Sequence, residues 1–184
     1  MNLEEKCLSS RLIFDGKVVH LYEDTVALPN GKPACREYVK HVGAVCILAL
    51  TDDGNVVLER QFRYPFGAVL TEIPAGKLDS PEEDPTSAAL RELQEETGIV
   101  PQEIHYLGDY YGSPAIFGEC IRMFFARGLR FEKQHLDEDE FLEVFTMPLA
   151  QAVEKVLSGE IPDGKTQAAV LRVYTMLQKE GKEV

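Results

Sequence analysis

The chain has 184 residues, 45% of them hydrophobic, which is enough for one ordinary domain with a full core. Its formal net charge of -12 argues against a nucleic-acid backbone as partner, because phosphate binding normally shows as a basic patch or stripe. No run is long and apolar enough to span a membrane, the acidic N-terminus lacks an apolar h-region, and the four cysteines have no CxxC spacing. An acidic cytoplasmic protein with reduced, mostly packed thiols is therefore expected.

In chain order, the first half reads as strands. Residues 17–28 (KVVHLYEDTVAL), the turn PNGK and residues 34–40 (ACREYVK) mix β-branched, aromatic and charged side chains, as partly exposed antiparallel strands do. Residues 42–50 (VGAVCILAL) are almost wholly apolar and predict a central strand buried on both faces. The turn TDDGN leads into a further strand, VVLERQFRY.

The first helix is predicted with Asp84 as N-cap, Pro85 at the first helical position and Gly98 just past the end. Ala89, Leu90 and Leu93 form its expected apolar side, which leaves the glutamates on another side facing a cleft or solvent. Two more helices follow, PLAQAVEKVLSG ending at Gly159, and a longer one from an Asp163 cap to Gly181. Strands, helix, strands and helices in that order imply an α/β (α+β) protein with a mixed sheet covered by helices. No repeat, low-complexity segment or long Gly/Ser linker marks a domain boundary, so one compact unit is the simplest organisation.

Within the first helix, Glu92, Glu95 and Glu96 stand at i, i+3 and i+4. Like charges so placed oppose a helix by roughly 0.2 to 0.5 kcal/mol per pair, so either water solvates them or a cation holds them. Their surroundings decide between these. Gly76, Glu83, Arg91, Glu92, Glu95, Glu96 and Gly98, with apolar Leu93 and Ile99, resemble the signature box of the Nudix hydrolases. One departure stands out: six residues separate Gly76 from Glu83, where the family has five. The seven residues between Glu83 and Arg91 keep the family spacing, so the extra one falls in the loop KLDSPE and Glu83 is preferred to Glu82.

The resemblance implies a Nudix fold, a mixed β-sheet sandwiched between helices, with an N-terminal antiparallel strand subdomain over 1–40 and the hydrolase domain over 41–184. It also implies that Glu92, Glu95 and Glu96, with the main-chain oxygen of Ala75, hold Mg2+, for which Mn2+ can substitute since oxygen ligands suit both ions. Arg91 would be structural, pairing with a box glutamate. The segments LTEIPAGKLD, LERQFRYP, REYVKHVGAV and YYGSPAIFGE together resemble the ADP-ribose pyrophosphatase branch, with Pro114 in the place of its marker proline.

That branch implies substrate contacts from Arg36, Glu37, Arg63, Lys77, Ser113 and Glu119. It makes LDEDEFLEVF the catalytic loop, with Glu140 a further metal ligand and Glu138 the base acting beside Glu95 and Glu96; Asp137 and Asp139 remain alternatives for these roles. The expected reaction is cleavage of ADP-ribose to AMP and ribose 5-phosphate by a homodimer with exchanged N-terminal strands. A nucleotide sugar or dinucleoside polyphosphate is the alternative substrate. A non-catalytic nucleotide-binding module, the competing class, would be expected to lack box carboxylates, and this chain has them all.

Overall fold

In the computed structural model, which describes residues 1–136 and 140–181, the chain forms two units. The first comprises residues 1–43 and 111–120, the second residues 44–110 and 121–184. Among the described residues no helix is long and apolar enough to cross a membrane.

The first unit is a three-stranded antiparallel sheet in the order β1 (Lys6–Asp15), β2 (His20–Ala27), β3 (Pro33–Lys40). The β2–β3 pair is the antiparallel pair expected, and Gly31 supplies the left-handed residue of its turn at φ 81°. β1 is a strand that the sequence did not announce. Register shifts between Cys7 and Ser9 and between Leu12 and Phe14 break its period of two, and all of its residues are exposed. Residues 111–120 lie against β3, with the Val39 amide donating to the Ile116 carbonyl (2.9 Å) and the Gly118 amide to the Val39 carbonyl (2.8 Å). All four thiols are free, but the expectation that most are packed is corrected. Cys7 and Cys35 are exposed because this sheet presents outward positions on β1 and β3, and Cys46 alone is fully buried.

The second unit contains β4 (Ala44–Ala49), β5 (Asn55–Arg63), β6 (Ala68–Glu72), β7 (Ala75–Lys77), α1 (Pro85–Thr97), β8 (Ile99–Tyr110), β9 (Ile121–Phe131), β10 (Leu142–Pro148), α2 (Leu149–Ser158) and α3 (Gly164–Lys179). One sheet is mixed, in the order β7-β4-β9-β8, with β4 and β9 parallel; the other is antiparallel, β10-β5-β6. β4 is the predicted central strand, buried at every residue. Ala44, Cys46 and Leu48 point into a cluster shared with α2 and α3, while Val45, Ile47 and Ala49 point into one shared with α1. The mixed sheet is thus sandwiched between helices, as predicted.

The capping residues act as read. The Asp84 side chain accepts from the Ser87 amide (2.9 Å), Pro85 opens α1, and Gly98 closes it at φ 70° with its amide on the Gln94 carbonyl (2.8 Å). Asp163 likewise accepts from the Thr166 amide (2.9 Å) at the start of α3. The inward face of α1 differs from the expected one. Leu90 is exposed, and the buried residues are Ala88, Ala89, Glu92, Leu93 and Glu96. Ala88, Glu92 and Glu96 are successive i, i+4 neighbours, so two of the glutamates lie on the stripe that packs inward.

Candidate active site

Two box carboxylates are interior groups: Glu92 is 9% exposed and Glu96 3%. Glu95 lies nearer the surface. Arg91 fastens the helix to the loop before it. Its Nη1 donates to Glu92 Oε1 (2.8 Å) and Glu95 Oε2 (3.1 Å), its Nε to Glu83 Oε1 (3.2 Å), and its Nη2 to Glu83 Oε2 (3.3 Å) and the Lys77 carbonyl (3.2 Å). Burial alone would lower the Arg91 pKa, but these carboxylates outweigh it and raise the pKa, so the guanidinium stays charged. Glu83 Oε2 also accepts from the Asp79 amide (2.6 Å), which closes the loop that carries the extra residue.

β7 brings backbone up to these carboxylates. The Ala75 amide donates to Glu96 Oε2 (2.9 Å), and Ala75 pairs with Cys46 on β4. A Cβ added at Gly76 would overlap the carboxylate carbon and both oxygens of Glu92, so only glycine lets the main chain approach this closely. The obstructing group is the far end of a flexible side chain. Gly76→Ala should therefore displace the Glu92 carboxylate and leave the fold intact. Activity is expected to fall about 10^2-fold, as for a misplacement of about 1 Å in a reacting geometry, with the melting temperature changed by only a few degrees. Kinetics together with thermal denaturation check both parts.

Behind the box lies a buried ionic network. Glu59 on β5 and Glu72 on β6 are directly opposite in register, an unfavourable placement for like charges. Glu72 is fully paired: Arg63 donates from Nε to Oε1 (2.7 Å) and from Nη2 to Oε2 (2.8 Å), and Lys165 adds an ion pair. Burial pushes the Glu72 pKa up, yet Arg63 and Lys165 prevail and hold it below the usual carboxylate value. Lys165 also pairs with Asp163 Oδ2 (3.1 Å), which supports a cation in the first turn of a helix where the dipole disfavours it. Thr166 Oγ1 accepts from the Ile73 amide (2.9 Å) and donates to Asp163 Oδ2 (2.6 Å), tying the segment that leads into β7 to α3.

Glu59 has no such support. It is 0% exposed, and among the described residues neither of its carboxylate oxygens has a hydrogen-bond partner. Burial raises its pKa, and the charge of Glu72 raises it further. Burial, then the charges of Glu59 and Glu92, raise that of Glu96; burial is also the main upward push on Glu92. Glu140 adds to the repulsion on Glu59, Glu92 and Glu96, which makes it an electrostatic neighbour of all three.

The donor set suits a hard divalent cation. It consists of carboxylate oxygens around close backbone, with a glycine cradle and an orphaned interior carboxylate, and it has no sulfur or imidazole. A cation there would reverse the upward pKa shifts. Among the described residues no three His, Cys, Asp or Glu side chains already stand as a group that could hold a metal ion. Glu92 and Glu95 turn oxygens to Arg91 and Glu96 turns one to the Ala75 amide, which accounts for that arrangement.

The structure gives the other expected residues the following surroundings. Lys77 has an exposed side chain, and Arg63 is engaged by Glu72. In the first unit, Arg36 uses Nε (2.9 Å) and Nη2 (2.5 Å) on Glu5 and Nη1 (2.9 Å) on the carbonyl of the preceding residue, Cys35. Glu37 is exposed and faces Glu23 across the β2–β3 pair. Ser113 is exposed, its carbonyl accepting from the Phe117 amide (2.9 Å), and Glu119 Oε1 lies 3.6 Å from His41 Nε2. Glu138, with its alternatives Asp137 and Asp139, lies outside the described residues.

Sequence reasoning gave no role to Glu59, Glu72 or Lys165. The only sequence signs of them are that Glu59 ends the apolar run VVL and that Lys165 stands beside a helix cap.

Comparison with known proteins places these features. The family model for the NUDIX domain matches residues 40–169, and that for the nucleoside diphosphate sugar hydrolase N-terminal domain matches residues 5–39. An ADP-ribose pyrophosphatase of Bacillus subtilis (strain 168) is 46% identical over 171 residues, covering 92% of each chain. A methanol dehydrogenase activator of Bacillus methanolicus is 40% identical over 178 residues, covering 96% of this chain and 95% of its own. The solved structure of an ADP compounds hydrolase, 20% identical, superposes with a TM-score of 0.85 over 100% of both chains, a likeness of fold.

Proposed function

Because the chain belongs to the Nudix hydrolase family, we propose that it is a divalent-cation-dependent pyrophosphohydrolase that cleaves ADP-ribose to AMP and ribose 5-phosphate. The observation that carries this reading is the likeness to the Bacillus subtilis ADP-ribose pyrophosphatase along nearly the whole of both chains. The buried box carboxylates Glu92 and Glu96 support it.

Glu92, Glu95, Glu96 and Glu140, with the Ala75 carbonyl, are the groups that would hold the cation. When bound, Mg2+, or Mn2+ in its place, lowers the pKa of the attacking water and neutralises diphosphate oxygens. Glu138 takes the proton as the water oxygen bonds to phosphorus and the bond from that phosphorus to the bridging oxygen breaks. Arg91 orients Glu92 and Glu95, and Gly76 leaves room for them.

Arg36, Glu37, Arg63, Lys77, Ser113 and Glu119 are assigned to the nucleotide and ribose on the resemblance of their segments. Arg63 spends Nε and Nη2 on Glu72, which leaves Nη1 for a phosphate oxygen. We assign residues 1–40 to an N-terminal subdomain and 41–184 to the hydrolase domain, in a cytoplasmic homodimer that exchanges its N-terminal strands. The edge strand β1, with Leu8, Leu12, Ile13 and Phe14 exposed, supports pairing with a second copy.

Substrate choice is tested with Mg2+ and a panel of ADP-ribose, nucleotide sugars and dinucleoside polyphosphates. ADP-ribose is expected to give the highest kcat/KM; faster cleavage of GDP-mannose or a dinucleoside polyphosphate would overturn the assignment.

A further inference from the structure

We propose that Glu59 is a further ligand for a divalent cation, on the interior side of the Glu92 and Glu96 carboxylates. The inference rests on the reading of the box as a cation site and extends it to a residue outside the box.

Glu59 follows Val56, Val57 and Leu58 in β5, and all four are fully buried. A carboxylate so placed is cut off from water, and an unpaired buried charge is strongly disfavoured. The nearby charged side chains of this unit have partners. Glu72 holds Arg63 and Lys165, Lys165 also holds Asp163, Glu92 holds Arg91, and Glu96 accepts from the Ala75 amide. Arg63 and Lys165, whose positive charge reaches Glu59, are committed to Glu72 on the opposite strand. Among the described residues, both Glu59 oxygens are left with lone pairs and no donor.

The direction of that carboxylate follows from its neighbours. Among the charges acting on Glu96, that of Glu59 is the largest, ahead of Glu92 and Glu140. Glu59 also shares a face of β5 with Val57, which packs in one cluster with Ala88, Ala89 and Leu93 of α1, so its side chain lies on the α1 side of that strand. Oxygen-only donors of this kind select a hard cation such as Mg2+ or Mn2+. A proton is the competing partner: a neutral Glu59 would be an inert buried acid with no bearing on cation affinity.

Mn2+ alone, titrated calorimetrically into the purified wild-type chain and its Glu59→Gln and Glu96→Gln variants, separates these cases. Glu59→Gln keeps the shape and removes the charge, and it is expected to weaken Mn2+ binding at least tenfold. Thermal denaturation of Glu59→Leu, which restores an apolar interior, gives a second readout. Without metal its melting temperature should equal or exceed that of wild type, and saturating Mn2+ should raise it less than it raises wild type. Wild-type Mn2+ affinity in Glu59→Gln, with affinity lost in Glu96→Gln, would overturn the role of Glu59 alone. Unchanged affinity in both variants would overturn the reading of the box as well.

Discussion

Glu96→Gln should abolish turnover at millimolar Mg2+. Glu96 is 3% exposed, with one oxygen on the Ala75 amide and its charge opposed by those of Glu59, Glu92 and Glu140. An amide of the same size keeps the packing, but it replaces one oxygen with an NH2 group and removes the negative charge that draws a cation in. Loss of supporting ligands in metal sites weakens binding by roughly 10- to 100-fold, and a direct ligand should do at least that. The metal-free protein, by contrast, should be no less stable than wild type, because a desolvated carboxylate has been replaced by a neutral group. Mg2+ titrations followed by kcat, with circular dichroism as the control for folding, measure both effects. Wild-type Mg2+ dependence in Glu96→Gln would remove Glu96 from the site.

Glu138→Gln should fail in another way. If Glu138 takes the proton from the attacking water, its loss lowers kcat by roughly 10^2 to 10^4, because proton abstraction contributes only in the transition state. KM and Mg2+ affinity should stay close to wild type, since neither substrate nor cation depends on that carboxylate in the ground state. Glu140, two residues on, acts electrostatically on Glu59, Glu92 and Glu96, which supports a role for this loop at the box. Paired kcat, KM and metal titrations separate this pattern from that of Glu96→Gln. Near wild-type kcat at saturating Mg2+ would transfer the role to Asp137 or Asp139.

Local signals in the sequence made much of the fold legible. The unbroken apolar run of β4 could be satisfied only by cover on both faces, and Asp84, Pro85, Gly98 and Asp163 mark helix ends by backbone chemistry that needs no tertiary context. β1 escaped because its bulges destroy the alternation that identifies a strand. The inward turn of Glu92 and Glu96 escaped for a different reason. Leu90 made one side of α1 look apolar, while the small Ala88 and Ala89 define the side that packs.

Box residues and Arg91 were legible because they lie close in sequence in a pattern that resembles the Nudix signature. The network behind them was not, since Glu72 and Lys165 are 93 positions apart and meet only through β6 and α3. Glu59 sits at the end of an apolar run where its burial depends on how the two sheets lie within the second unit. A charged residue at such a position reads as the exposed edge of a strand until the packing is known.

The most direct measurement is product identification by phosphorus NMR after incubation of the protein with ADP-ribose, with Mg2+ and with excess EDTA. The expected result is AMP and ribose 5-phosphate in equal amounts with Mg2+, and intact ADP-ribose with EDTA. Intact ADP-ribose under both conditions, or cleavage at a bond other than the diphosphate linkage, would contradict it.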